Sequence, residues 1–106
     1  MTIKTSLEAT TGLPVEKLHY SGNAPTYITF FEYDENVENN SDDEIESLGH
    51  YIQVDLWTKT DYTDIKSKIK LAMKNAGFSF SNAQEQYEED TEVYHWASRY
   101  VNNEYL

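Results

Sequence analysis

The amino-acid sequence predicts an α+β fold, a mainly antiparallel sheet of about four to five strands with two helices packed on one face. Two segments have apolar residues at helical spacing, and four have the composition or alternation of strands, with a fifth, short candidate. Their order is helix, strand, strand, helix, hairpin. The length of 106 residues suits one hydrophobic core, so we predict a single domain over residues 1–106.

The N-terminal part predicts the first helix and the first strands. Apolar residues permit a short helix over residues 3–11, which Gly12 and Pro14 would end. Residues 15–20 are the short candidate strand. Residues 26–33, TYITFFEY, combine aromatic and β-branched side chains, the composition of a largely buried strand.

An acidic segment separates two predicted strands. Residues 34–46, DENVENNSDDEIE, contain seven acids and no base. The mutual repulsion of these negative charges keeps the segment from compacting unaided. We therefore predict an exposed acidic loop at about residues 34–47. Beyond it Ile52, Val54 and Leu56 alternate with polar and aromatic residues, so the loop would join two antiparallel strands.

The second helix has the clearest pattern, from about residue 61 to residue 76, where Asp61 would cap the first turn and Gly77 would end the last. Residues 78–87 and 92–101 then predict a hairpin around an acidic turn. The predicted buried stripe of the helix is Ile65, Ile69, Ala72, Met73 and Ala76. Four of the eight basic residues also lie on this helix, at Lys66, Lys68, Lys70 and Lys74.

Charge and composition limit the partners. Nineteen acids against eight bases give a formal net charge of -11, which repels phosphate backbones and anionic lipid surfaces. We therefore expect neither specific nucleic-acid binding nor a membrane partner. The absence of cysteine excludes disulfides and thiolate chemistry. No stretch has the apolar length that spans a bilayer, so we expect an intracellular protein at synthesis.

Metal sites find little support in the residue spacing. His19, His50 and His95 lie on three separate segments and form no H-x-x-x-H pair. The acidic segment has Asn39 and Ile45 at the positions where a calcium loop needs glycine and glutamate. Clustered carboxylates could still bind calcium weakly, but a solvated loop is the favoured interpretation. We predict no metal site.

Catalysis finds no support either. No serine lies in a G-x-S-x-G elbow, and the chain has no glycine-rich phosphate loop. Glu88 and Asp90 are a carboxylate pair, but their position indicates an exposed hairpin turn rather than a pocket that would separate their pKa values. We therefore predict no enzymatic activity, no catalytic residues and no cofactor.

The aromatic side chains of the predicted strands are too many for a small one-sided sheet to bury. Tyrosine and tryptophan are also enriched where proteins meet, so some of these residues are candidates for a protein interface. The set is Tyr27, Phe31, Tyr33, Trp57, Tyr94 and Trp96.

The order of elements and three motifs together resemble a known family. The motifs are P-x-Y-[IV]-x-F at residues 25–30, Y-[IV]-Q-[IV]-D-x-W at residues 51–57, and a last strand after an acidic turn, with a helix rich in lysine and alanine between them. This pattern is similar to the tail-completion, or tail-terminator, family of long-tailed bacteriophages and prophages. The matching residues are Pro25, Tyr27, Ile28, Phe30, Tyr51, Ile52, Gln53, Val54, Asp55, Trp57, Tyr87, Asp90, Thr91 and Tyr94.

The resemblance implies a structural role in phage morphogenesis. Such subunits form a ring, commonly of six, at the head-proximal end of the tail tube and join it to the head connector. The implied partners are copies of the same chain and the tail-tube and head-connector proteins. The implied locations are the host bacterial cytoplasm during assembly and then the virion neck or tail end. An acidic ring would let DNA pass without sticking.

This hypothesis assigns roles to two sets of residues. The set that would face the lumen or the connector is Asp34, Glu35, Glu38, Asp42, Asp43, Glu44 and Glu46. The set assigned to subunit contacts is Tyr27, Trp57, Lys66, Lys70, Tyr94 and Trp96. The alternative is an acidic inhibitor that mimics DNA and occupies a nucleic-acid-binding protein. It fits the charge equally well and predicts a monomer or dimer.

Overall fold

A computed structural model describes residues 2–39 and 46–105, and in them the chain forms two helices and five strands. In chain order these are α1 (Ile3–Thr11), β1 (Val15–Lys17), β2 (Tyr27–Asn39), β3 (Glu46–Thr58), α2 (Thr63–Asn75), β4 (Ser79–Glu88) and β5 (Val93–Tyr105). The strands form one sheet in the order β1-β2-β3-β5-β4, in which β1 runs parallel to β2 and the other neighbours are antiparallel. The predicted α+β fold is confirmed.

The hydrophobic core lies between the two helices and one face of the sheet. Alternate residues of β3 face the helices, as the period of two predicts, and the α2 stripe packs against them. The helices also contact each other, and Ser6 Oγ of α1 donates a hydrogen bond of 2.7 Å to the Ala72 carbonyl of α2. The fully buried apolar side chains include Leu7, Ile28, Val54, Leu56, Ile69, Met73 and Tyr100.

Local signals explain where the helices begin and end. Thr2 Oγ1 accepts a hydrogen bond of 3.1 Å from the Thr5 amide at the start of α1, and Gly12 ends that helix at φ 71°. Asp61 lies before α2 and accepts a hydrogen bond from the Thr63 amide, which lowers the pKa of the Asp61 carboxyl. Gly77 follows α2 at φ 94°, a backbone conformation that favours glycine.

The prediction of a loop across residues 34–47 is wrong at both of its ends. β2 continues to Asn39 and β3 already begins at Glu46, and the two strands pair from Asp34↔Tyr51 through Asn39↔Glu46. Asp34 and Glu35 are exposed, as their charge predicts, and a paired strand can keep such side chains in water while its backbone groups form hydrogen bonds. Residues 40–45, with Asp42, Asp43 and Glu44, lie outside the described residues.

Candidate functional site

The sheet face opposite the helices, called the open face below, carries three rows of side chains. Strand register places each row across β2, β3, β5 and β4. The first row is Tyr27, Trp57, His95 and Gln86, the second is Thr29, Asp55, Ala97 and Gln84, and the third is Phe31, Gln53, Arg99 and Asn82.

The first row is built from stacked rings. The Trp57 and His95 rings lie 3.8 Å apart, centroid to centroid, with only 7° between their planes. Tyr27 lies 6.2 Å from Trp57 and is itself stacked on Tyr20 at 4.4 Å. Partial burial, and secondarily the charge of Glu88, raises the pKa of the Tyr27 phenol. Such stacking lets the rings shield one another where no helix covers them.

The second and third rows form a hydrogen-bonded polar network. Asp55 is only 5% exposed, and its Oδ1 accepts a hydrogen bond of 2.8 Å from Gln53 Nε2 and lies 2.7 Å from His95 Nε2. Arg99 Nε donates in turn to Gln53 Oε1 at 3.1 Å, and its guanidinium lies 5.0 Å from the centre of the Tyr33 ring. A buried carboxylate requires such partners, and in this arrangement they also orient His95 and Arg99.

A polar groove opens in the middle of this network. Ala97 lies between His95 and Arg99 on β5, and its small side chain leaves a depression between the two longer ones. Amide side chains of β3 and β4 complete the wall, and the groove has a volume of about 110 Å³. Its hydrogen-bond donors include the guanidinium of the only arginine in the sequence. The groove therefore suits a hydrogen-bond acceptor such as a carboxylate.

The residues assigned to subunit contacts divide between the two faces. Tyr27 and Trp57 lie together in the first row of the open face. Tyr94 is on the helix side of β5, two residues before Trp96, where it is 38% exposed and packs against Tyr62 and Tyr87.

The other three assigned residues, Lys66, Lys70 and Trp96, also lie on the helix side. Lys66 Nζ is 3.4 Å from Glu85 Oε1, and Lys70 Nζ lies 4.6 Å over the Phe80 ring, so both lysines already have partners within the chain. Trp96 is 4% exposed and belongs to the core beneath α2. The prediction of Trp96 as a contact residue is wrong, because alternation on β5 turns its side chain away from the open face.

The predicted lumen residues are described only in part. Asp34 and Glu35 are exposed, and Glu38 and Glu46 lie in β2 and β3. The register also groups Glu35 with Glu32 and His50, whose Nδ1 lies 2.7 Å from Glu32 Oε2 and 3.6 Å from Glu35 Oε2. One imidazole and two carboxylates could offer ligands to a divalent cation, and they equally satisfy one another without a metal.

Sequence reasoning missed the polar network. The signal was the alternation of β5, where His95, Ala97 and Arg99 face one way and the intervening residues face the core. The sequence gives no sign of the hydrogen bond between Asp55 and His95, because the two residues are 40 positions apart. Such a contact depends on the β3–β5 register, which the sequence does not display.

The comparisons with known proteins concern the fold. No family model matches the chain, and no curated protein matches it. Among solved structures, the fold is similar to a chain of one described as "Virion of native gene transfer agent (GTA) particle", with a TM-score of 0.63 and 17% sequence identity. The alignment covers 94% of this chain and 84% of that chain. At this identity the likeness establishes a shared fold.

Neither helix in the described part of the chain has both the length and the apolar character that crossing a membrane requires.

Proposed function

We propose that this protein is a structural subunit of a phage-like particle. One observation carries the proposal, the likeness in fold over nearly the whole chain to a chain of a gene transfer agent virion. The open face adds to it, because stacked aromatic rings and a polar groove on one face are features of surfaces that meet other proteins.

More specifically, we propose a tail-completion, or head-tail joining, subunit. The subunits form a ring of six at the head-proximal end of the tail tube, and the ring joins the tube to the head connector. The motifs at residues 25–30 and 51–57 support this choice, and in the structure they lie on neighbouring strands, β2 and β3. The net charge of -11 is compatible with a lumen through which DNA slides without specific binding.

Within this proposal the acids of the β2–β3 hairpin, with the exposed Asp34 and Glu35 among them, line the lumen or meet the connector. The open-face residues Tyr27 and Trp57 belong to contacts between subunits. The protein acts by its shape and its charge in the virion neck or tail end, and it catalyses no reaction.

Deletion of the coding sequence from the phage or prophage that encodes it tests this function. We expect electron micrographs to show filled heads and separate tails, with joined particles restored by the wild-type gene supplied in trans. Joined particles without the protein would rule out the head-tail joining role. Loss of heads or of tails would move the subunit to another part of the particle.

The acidic-inhibitor alternative makes a different expectation for the purified protein. It predicts a monomer or dimer that binds a basic nucleic-acid-binding protein. A ring subunit shows a larger closed assembly, alone or on isolated tail tubes. Light scattering after size exclusion, with and without tail tubes, separates the two.

A further inference from the structure

We infer that the groove over Ala97 receives the acidic turn, residues 88–92, of a second copy of this chain, with Arg99 as the main ion-pair partner. The inference rests on the proposed function, because it names the contact that would join one subunit to the next. It depends on the groove, the turn and the distance between them.

The groove presents a positioned cation. Arg99 is exposed, and its Nε is fixed by Gln53 while its guanidinium packs on the Tyr33 ring. A guanidinium has five N–H donors, so this arrangement leaves donors for a further acceptor. Among the described residues, no carboxylate lies within ion-pair distance of Arg99. Ala97 beside it leaves the space that an incoming side chain would fill.

The acidic turn presents the complementary charge. Four of its five residues are acidic, and all five are exposed. Glu88 accepts a hydrogen bond from Thr91, whereas Glu89, Asp90 and Glu92 form no ion pair with any described residue. Clustered carboxylates repel one another, so contact with a guanidinium on another surface lowers the electrostatic free energy of the turn.

The distance between the two sites requires a second copy. Arg99 lies six residues beyond Val93 on β5, and at about 3.4 Å per residue the turn and the guanidinium are roughly 20 Å apart along the strand. The turn therefore cannot reach the Arg99 guanidinium of its own sheet. Because groove and turn are different surfaces, their contact gives a ring or a filament when it repeats head to tail, and a two-fold dimer when two copies exchange it reciprocally.

The lysines of α2 are the rival partners for an acidic segment. Lys66 already pairs with Glu85, and Lys70 packs over Phe80. Lys74 is exposed on the helix, away from the open face. Lys74→Glu therefore reverses one positive charge, as Arg99→Glu does, but outside the groove, and it serves as the control.

A charge-swap series tests the contact by sedimentation velocity at low and high salt. We expect the wild type to self-associate, and Arg99→Glu alone and Glu89→Arg with Asp90→Arg each to weaken association roughly tenfold or more. The variant that combines all three substitutions should recover most of the wild-type association, and Lys74→Glu should behave like the wild type. Circular dichroism confirms that each variant is folded.

Several results would overturn the inference. These are a wild type that stays monomeric, Arg99→Glu protein that associates normally, failure of the combined variant to recover, or an equal loss with Lys74→Glu. None of them bears on the deletion experiment, which tests the joining function by itself. Joined particles without the protein would overturn that function and leave the self-contact to be decided by sedimentation.

A second measurement locates the contact. The sequence has no cysteine, so Ala97→Cys introduces a single thiol into the groove. We expect its maleimide labelling to be several-fold slower in the assembled protein than in the monomer at high salt, while Lys74→Cys labels equally in both. Equal labelling of Ala97→Cys in both states would also overturn the inference.

Discussion

The two faces of the sheet are held together in different ways. The face under the helices is an apolar core, in which Val54 and Leu56 of β3 are fully buried. The open face has no helix above it, yet Asp55 between those two residues is 5% exposed, because neighbouring side chains on the same face cover it. Burial on the first face follows from the hydrophobic effect, whereas on the second it depends on lateral stacking and hydrogen bonds.

A large-to-small substitution in the helix-covered core should have the largest effect on stability. Leu56 is 0% exposed, so Leu56→Ala removes buried methyl groups and leaves a cavity. We expect the free energy of unfolding to fall by about 2–5 kcal/mol, measured by urea denaturation. Leu71 on α2 is 51% exposed and provides the matched control, since Leu71→Ala should change stability by only about 0.5 kcal/mol. Equal losses in the two variants would contradict the assignment of the core.

The same core contains a phenol that should make stability sensitive to alkaline pH. Burial raises the pKa of Tyr100 from 10.0 to about 12, although the hydrogen bond from its hydroxyl to Ser98 acts in the opposite direction. In the unfolded chain this phenol ionises near its ordinary pKa, so the folded state favours the neutral form. Its contribution to stability is complete below pH 10 and is lost as the pH rises towards 12.

We expect this group to lower the free energy of unfolding by roughly 2–3 kcal/mol across that interval. Tyr100→Phe should remove that part of the alkaline loss, in denaturation series at pH 9, 10, 11 and 12. Tyr87 is 49% exposed, and Tyr87→Phe is the matched control, in which the same hydroxyl is removed at the surface. A Tyr100→Phe profile that overlays the wild-type profile would show that the phenol is hydrated in the folded protein.

On the open face the corresponding test is removal of the buried carboxylate. Asp55→Ala leaves His95 and Gln53 without their shared acceptor. We expect a loss of about 1–3 kcal/mol by urea denaturation, and a smaller loss for Asp55→Asn, which retains an acceptor oxygen. Asp90→Ala in the exposed turn is the control and should be close to neutral. A neutral Asp55→Ala variant would mean that the network does not stabilise the open face.

The contrast between the faces also explains what the sequence could predict. The period of two in Ile52, Val54 and Leu56 and the helical stripe of α2 are local patterns, and both identified core residues correctly. The fold class followed from them. The prediction for Trp96 rested on its aromatic character, whereas the alternation of β5 turns its side chain into the core. The acidic composition predicted the exposure of Asp34 and Glu35, but it could not distinguish an exposed loop from a strand with exposed side chains.

The polar network could not be predicted because its contacts cross strands that are distant in sequence. The β3–β5 pairing places the last strand in the middle of the sheet rather than at its edge, and it brings Asp55 beside Ala97. From sequence, Asp55 was only an outward-facing polar residue. Its hydrogen bond with His95 depends on a long-range register that neither residue signals.

The smallest expected effect concerns the stacked rings of the open face. Trp57 and His95 stack at 3.8 Å, and Trp57 Nε1 also donates to Thr29 Oγ1 at 3.3 Å, so single substitutions disturb more than one contact. A double-mutant cycle of Trp57→Ala and His95→Ala isolates the pair. We expect a coupling energy of about 0.5–1.5 kcal/mol from urea denaturation. As a control, the cycle of Trp57→Ala with Leu71→Ala, on α2 across the sheet, should show additive losses. Additive losses for Trp57 and His95 would mean that their stacking adds nothing to the stability of the open face beyond what each residue contributes singly, so that the hydrogen bonds around Asp55 and the other ring contacts hold it together.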